Sequence, residues 1–422
     1  MKKYLLIYLA AAIIFLAHYA FSGQAIYGDG IDYWVYLPSI YFDHDIDFEN
    51  QYKHIFSPAN NNKYSSESAP DILKTRYTSI GKTDNPHPPG TAIFWFPAFL
   101  LADIASIILG LARNGYAHVY QILAGLWSIL LIVFALRLNE LLVFKFTKDG
   151  KISFLTTIAL FFTTPLLYYG SYDVLNSHFA SFFLSSLFWY LLLIRPIELK
   201  SLLLLGSVVG LATLVRLQDA LLIVSASVYL YLKYKNPVLK ILTLSLTGLL
   251  LILPLACLWM YLYGIPLPET YTAFGRGEWL KFGSLFHPTY GFFFRTPFLL
   301  VSLIGIKIFI PKERKVFWVF FTLFILQFLL ITFQGGWDAP SYGGRMYIST
   351  LTFFAVLIAY TLNWIKQKWN FKIAVVVVIF FVILNIISIT SFVLFEKEVN
   401  SGRKRGLEEQ TQQKLEQLLK RQ

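Results

Sequence analysis

Charge is what this chain has least of. Only 14% of its 422 residues are Asp, Glu, Lys or Arg, where a soluble domain carries about a quarter. That leaves too little polar surface for a water-soluble fold. Cysteine is scarcer still. Cys257 stands alone inside an apolar run, so there is no disulfide framework and no redox compartment to read. The sequence holds no P-loop, no dinucleotide-binding glycine fingerprint, no zinc-ligand spacing and no Ser-His-Asp signature. Those absences argue against a nucleotide-driven pump and against a nucleotide-sugar enzyme with a soluble catalytic domain. No internal repeat is evident, and low complexity stops at Asn60-Asn61-Asn62.

What is present is apolar: 56% of the residues are hydrophobic. Runs of about 17–25 such residues, the length that crosses a bilayer as helix, recur along the chain. The first, 5–21 behind Lys2 and Lys3, has no small-x-small cleavage site after it and reads as a retained helix. Spans are expected near 4–21, 117–136, 152–170, 177–194, 200–215, 218–232, 241–263, 290–310, 316–333, 347–364 and 372–395. Lys and Arg then gather on alternate loops: Arg137 with Lys145, Lys148 and Lys151; Arg195 with Lys200; Lys233 with Lys235 and Lys240; Lys307 with Lys312, Arg314 and Lys315; Lys366 with Lys368 and Lys372. By the positive-inside rule those loops and the amino terminus face the cytoplasm. The formal charge of +12 is therefore mostly a topology signal, not a sign of nucleic acid.

Two stretches strain the scheme. Residues 88–110 are apolar enough to span, but a span there would put the later basic loops outside. The segment is expected to lie along the surface within one long outer loop, about 22–116. The stretch 200–232, broken at Val215-Arg216-Leu217-Gln218-Asp219, reads as two short helices meeting near the outer face. The expected fold is an all-α polytopic membrane protein of about eleven spans over 1–396. A short charged tail, 397–422, follows, with an amphipathic stretch at 407–419.

Polar residues cluster at four places on the outer side. Gly28-Asp29-Gly30-Ile31-Asp32-Tyr33 follows the first helix, its glycines leaving the Asp29 carboxylate reach, with Asp32 behind it. An aromatic stretch suited to the interface comes next, 33–42. Asn85-Pro86-His87-Pro88-Pro89-Gly90 opens the surface segment with an imidazole at a helix start. Gly170-Ser171-Tyr172-Asp173-Val174-Leu175-Asn176-Ser177-His178 offers acid, amide and imidazole within six residues, or else a polar cap on a helical hairpin. The fourth is a set of arginines: Arg216 inside an apolar run, Arg295 after His287-Pro288, and Arg345 closing the glycine-rich loop that begins near Trp337. An intramembrane guanidinium is expensive and suits phosphate, with pairing to Asp219 as the plain alternative for Arg216. Asp43-His44-Asp45-Ile46-Asp47-Phe48-Glu49 lacks calcium-loop spacing and reads as a solvated acidic loop.

This order of motifs resembles the GT-C superfamily of membrane glycosyltransferases, which includes protein O-mannosyltransferases and bacterial aminoarabinose transferases. Asp29 to Tyr33 has the spacing of that family's Asp-Glu-x-x-Tyr, with Gly30 where the Glu often stands. His87-Pro88-Pro89 looks like its His-Pro-Pro element. Gly210-Leu211-Ala212-Thr213-Leu214-Val215-Arg216 is similar to its Gly-Leu-Ala-x-Leu-x-Lys stretch. Residues 286–297 and 337–345 look like bacterial members. The family's second carboxylate falls at Asn176, with Asp173 three residues earlier.

The resemblance implies a polyprenyl-phosphate sugar as donor and an inner-membrane site facing outward. It implies Asp29, Asp32 and Asp173 as catalytic carboxylates, with Asp29 the general base, and contacts to substrate from His87, Asn176, His178, Arg216, Arg295, Trp337 and Arg345. The acceptor is unassigned, a membrane lipid partner is implied, and nucleic acid is not. Some relatives need a divalent cation and others none; these residues require none. A transporter or flippase for lipid-linked sugars, or a non-catalytic assembly partner, stands as the alternative.

Overall fold

The computed structural model describes residues 2–57, 76–268, 271, 282–339 and 341–396. The tail 397–422 and the Asn60-Asn61-Asn62 patch lie outside them. The described residues form helices, with a single isolated β-bridge, Tyr77 to Thr83. The principal helices are α1 Lys2–Ser22, α2 Asp29–Trp34, α3 Glu49–Ile55, α4 Gly90–Leu109, α5 His118–Thr147, α6 Gly150–Phe162 and α7 His178–Ile194. Then come α8 Leu199–Val215, α9 Leu222–Lys233, α10 Val238–Tyr263, α11 Pro297–Ser302, α12 Ile306–Gln334, α13 Leu351–Lys368 and α14 Phe371–Ser391. Seven segments among the described residues are long and apolar enough to cross a membrane. The chain is a polytopic α-helical membrane protein. It divides into two units, the first comprising Met1–Leu142, Tyr169–Ala273 and Trp318–Leu323, the second the remainder.

In the first unit α1 and α5 run antiparallel. Lys3, Tyr4 and Arg137 converge on the buried Glu140 at one end. Tyr19 meets His118 at 2.6 Å, and Gln121 accepts from the Ala25 amide, at the other. Lys3 and Arg137 thus share one end of the α1–α5 pair. α8 and α10 run parallel in close approach: Gly206 abuts the backbone at Leu244 and Gly210 that at Gly248. Leu214 packs with Leu255 and Trp259 toward the Tyr19 end. The break at Arg216 is real. Its backbone is extended (φ −149°, ψ 121°) and a 3-10 turn, Leu217–Leu221, leads into α9.

The segment expected along the surface is the twenty-residue helix α4. It is one of the seven segments long and apolar enough to cross a membrane, and it runs antiparallel to the first part of α5. Trp95 donates to Ser128 at 2.9 Å, Trp127 donates to the Phe94 carbonyl, and Tyr120 donates to Asp103 at 2.6 Å. The buried side of α4 combines the aromatics Trp95 and Phe99 with small or polar residues, Ala92, Ala98, Ala102, Asp103 and Ser106. Its exposed side is hydrocarbon, with Ile93, Phe96, Leu101, Ile104, Ile107 and Ile108.

The second unit differs from expectation in detail. A span over 152–170 was expected, but α6 stops at Phe162, because Pro165 bars Thr164 from helical backbone. Asn385 on α14 donates to the carbonyls of Phe162 and Thr164 and satisfies the orphaned end. Asp149 caps the other end and pairs with Lys366. A span over 290–310 is broken at Thr296, and Pro297 restarts the helix as α11. α12 is kinked at Glu313 (φ −140°, ψ 48°), among the basic residues Lys312, Arg314 and Lys315. α13 is the core of this unit, buried on every side from Leu351 to Leu362.

Candidate functional site

Gly28 enters α2 with φ 57°, a left-handed backbone natural to glycine. That turn leaves Asp29 exposed and carries Asp32, one turn on, inward to 7% exposure. The Asp32 carboxylate is surrounded by donors. Tyr52 donates to its Oδ1 at 2.8 Å and Arg76 at 2.7 Å, while His87 Nδ1 lies 3.2 Å from Oδ2. Burial alone would raise the Asp32 carboxyl; His87, Arg76 and Tyr52 overcome it and hold the group below its usual range. The guanidinium of Arg76 also lies 4.4 Å from the Tyr52 ring centre.

His87 is placed from several directions. Asn85 donates to the Asp32 carbonyl and accepts from the His87 amide. Tyr36 and Tyr271 donate to the carbonyls of His87 and Pro86, at 2.8 and 2.9 Å. Tyr33 meets the imidazole edge-on at 4.8 Å. Tyr263, at the end of α10, donates to Asp84 at 2.5 Å. Beyond it Gly90 touches the backbone of Leu214 and Val215, where a Cβ would collide. The residue after Val215 is Arg216.

Arg216 donates to His178 Nδ1 at 2.7 Å. A guanidinium cannot accept, so that nitrogen carries the lone pair and the proton of a neutral His178 sits on Nε2. Asn176 donates to the Asp173 carbonyl and accepts from the His178 amide at 2.8 Å. The 170–178 loop is thus both a cap on α7 and the support of His178. The expected alternative for Arg216, a side-chain tie to Asp219, is not what forms. Asp219 accepts from Ser181 at 2.6 Å, and Arg216 has no carboxylate partner among the described residues. Gly30 completes the circuit against the Leu175 carbonyl, again where a Cβ would collide.

The first unit therefore gathers Asp29, Asp32, His87, Asp173, Asn176, His178 and Arg216 at its Tyr19 end. Tyr271 joins them through its bond to the Pro86 carbonyl. Burial pushes its phenol up, Tyr33 and the carboxylates of Asp29 and Asp32 push it further, and Arg216 opposes them. Sequence reasoning missed Tyr52, Arg76 and Tyr271. Arg76 stands in a mixed polar stretch beside Lys74 and Asp71, not inside an apolar run that would make its charge conspicuous. No pattern ties Tyr52 or Tyr271 to residues 20 and 185 positions away.

Arg295, Trp337 and Arg345 belong to the second unit. Arg295 is buried, donates to the Thr289 carbonyl at 2.9 Å and lies beneath Gly343. Trp337 covers Gly283 and meets His287 edge-on at 5.9 Å. Arg345 is half-buried and opens the 3-10 turn Arg345–Thr350.

Among the described residues no group of three or more His, Cys, Asp or Glu is placed to hold a metal. The acidic run 43–49 is spent on local bonds, with Asp43 accepting from Asn50 and Gln51, and Asp47 from Thr83. The chain matches no family model, no curated protein and no solved structure.

Proposed function

We propose that the protein is a membrane glycosyltransferase that moves a sugar from a polyprenyl-phosphate donor to an acceptor on the outer side. One observation supports this most. An exposed carboxylate, Asp29, and a guanidinium with no carboxylate partner among the described residues, Arg216, come together where Gly30 packs on the Leu175 carbonyl and His178, three residues on, accepts from Arg216. They do so at the end of the first unit opposite the Lys3–Arg137–Glu140 cluster. Proximity of a base to an anion-binding cation is what displacement at a sugar phosphate requires.

In this mechanism Arg216, steadied by neutral His178, holds the donor phosphate. Asp29 takes the proton of an acceptor hydroxyl or amine as that atom bonds to the anomeric carbon. The carbon–oxygen bond to phosphate breaks and the electron pair leaves with polyprenyl phosphate, whose charge Arg216 stabilises. A single displacement inverts the anomeric centre. Asp32 serves differently from Asp29: its depressed carboxyl is a weak base, and its bonds to Arg76, Tyr52 and His87 fix the loop around the donor. The topology that goes with this reading has about eleven spans and lays α4 along the outer surface, because a span there would put the later basic loops outside.

The test is release of free polyprenyl phosphate from a panel of undecaprenyl-phosphate sugars, using the protein in nanodiscs with membrane extract as the acceptor source. Release that needs extract and falls about 10²–10⁴-fold in Asp29→Asn, with donor binding retained, is the expected result. Donor binding without turnover on any sugar would overturn the transferase and favour a flippase or an assembly partner.

A further inference from the structure

Between Arg76 and Asp84 the chain folds back on itself in a hairpin. Tyr77 and Thr83 bridge antiparallel, Thr78 donates to the Lys82 carbonyl at 2.8 Å, and Gly81, at φ 77°, closes the turn onto the Thr78 carbonyl. Its tip is apolar and bare: Ile80 is 51% exposed and Tyr77 45%, at positions where turns are ordinarily polar. The hairpin is docked on one end of α10. Lys82 donates to the Tyr261 hydroxyl at 3.1 Å and lies 4.5 Å from the centre of that ring. Tyr263 donates to Asp84, and Ile80 lies beside Gly264, which ends the helix. α10 is one of the segments able to cross a membrane, and its 26 residues give about 39 Å of helix against a hydrocarbon core of about 30 Å. Lys240 stands in its first turn, and Trp259, Tyr261 and Tyr263 stand at its end, so both ends reach the level where hydrocarbon meets headgroups. Hydrocarbon is exposed along its length, at Leu246, Leu250, Leu253 and Met260.

We infer that this hairpin is a membrane anchor: Ile80 and Tyr77 insert among the phospholipids of the leaflet at the Tyr261 end of α10. Position selects lipid over a protein partner as the occupant. A turn held against the end of a bilayer-crossing helix already has lipid beside it, and an isoleucine there leaves water without any partner chain. Lys82 fits that level, because its stem can lie along hydrocarbon while its ammonium, on Tyr261, stays among the headgroups. The anchor also bears on the polar cluster. Arg76 and Asp84 are the two ends of the hairpin, tied where the Asp84 amide donates to the Arg76 carbonyl at 2.7 Å. Arg76 in turn bonds Asp32. Seating the hairpin in lipid therefore holds Arg76 on Asp32. The inference goes beyond the transferase reading and needs only the membrane class of the chain.

The experiment carries Ile80→Cys, in a Cys257→Ser chain, into phosphatidylcholine nanodiscs and labels it with the environment-sensitive dye NBD. Leu250→Cys, exposed midway along α10, is the lipid reference, and NBD-cysteine in buffer is the aqueous one. The expected result at residue 80 is blue-shifted emission, strong quenching by a nitroxide on the upper acyl chain and weak quenching by an aqueous nickel chelate. Emission at the aqueous wavelength with full quenching by nickel would overturn the anchor and leave Ile80 to a protein partner. Hydrogen exchange tests the tie to Arg76. Ile80→Asp, at an exposed turn, should stay monodisperse and raise exchange at the amides of Thr78, Gly81 and Asp84 about tenfold. Ile80→Leu should keep the wild-type rates. Unchanged exchange in Ile80→Asp would show that lipid does not hold the hairpin and would overturn its action on Arg76.

Discussion

The two aspartates of α2 show how position within one turn divides roles. Asp29 faces water; Asp32 faces donors from three segments of chain. Replacing Asp32 with Asn strands the Arg76 guanidinium and should cost about 3 kcal/mol, the lower end for a broken buried pair because Arg76 is partly exposed. The pH dependence has a definite sign. A carboxyl depressed in the folded chain contributes stability that is present above its unfolded pKa, about 4, and lost as pH falls through the folded value. The melting-temperature gap between wild type and Asp32→Asn should be widest near neutrality and close progressively below about pH 4. Arg216 makes a separate prediction. Arg216→Ala should weaken binding of undecaprenyl phosphate about ten- to a hundredfold, one to two charge-assisted bonds. Arg216→Lys should recover only part of it, because an ammonium lacks the fork that bonds His178 and phosphate together. Equal affinity in all three proteins, measured by ligand-induced thermal shift, would remove Arg216 from the anion site.

Between elements, glycine is the spacer. The sequence read Gly30 as a departure from a motif and Gly90 as a helix start. Each is instead a point of backbone contact, against Leu175 and against Leu214 with Val215. Gly90→Ala should therefore lower the melting temperature through overpacking of about 1–3 kcal/mol, and amides of 87–92 should lose hydrogen-exchange protection first. A Gly90→Ala protein as stable as wild type would show that α4 is free to shift from α8. Helix ends were the weak point of sequence reading. The termination of α6 at Phe162 depends on Pro165, which was visible, but also on Asn385, more than two hundred residues on, which was not. The break at Val215-Arg216 was legible because a cation interrupted hydrocarbon.

At the scale of the whole molecule, charge is unevenly placed. Lys3 and Arg137 meet at one end of the first unit, while Asp29, His87 and Arg216 gather at the other. In a Cys257→Ser background, an impermeant maleimide on intact cells should label Lys82→Cys, while Lys235→Cys should react only after permeabilisation. Reversed labelling would turn the site toward the cytoplasm and rule out an externally delivered acceptor.

The sequence by itself determined class and led to an expected orientation. Scarce charge forces the chain into lipid, lipid forces backbone into helix, and basic loops orient those helices, all of which are local or additive properties. It also named most of the polar cluster, since charge within hydrocarbon is conspicuous. Only the tertiary structure decided which of those groups are spent on one another. Whether Asp32 or Asp29 faces water, whether Arg216 meets Asp219 or His178, and that Arg76 and Tyr52 serve Asp32 all depend on distances between remote segments. Periodicity along one chain carries no record of those distances.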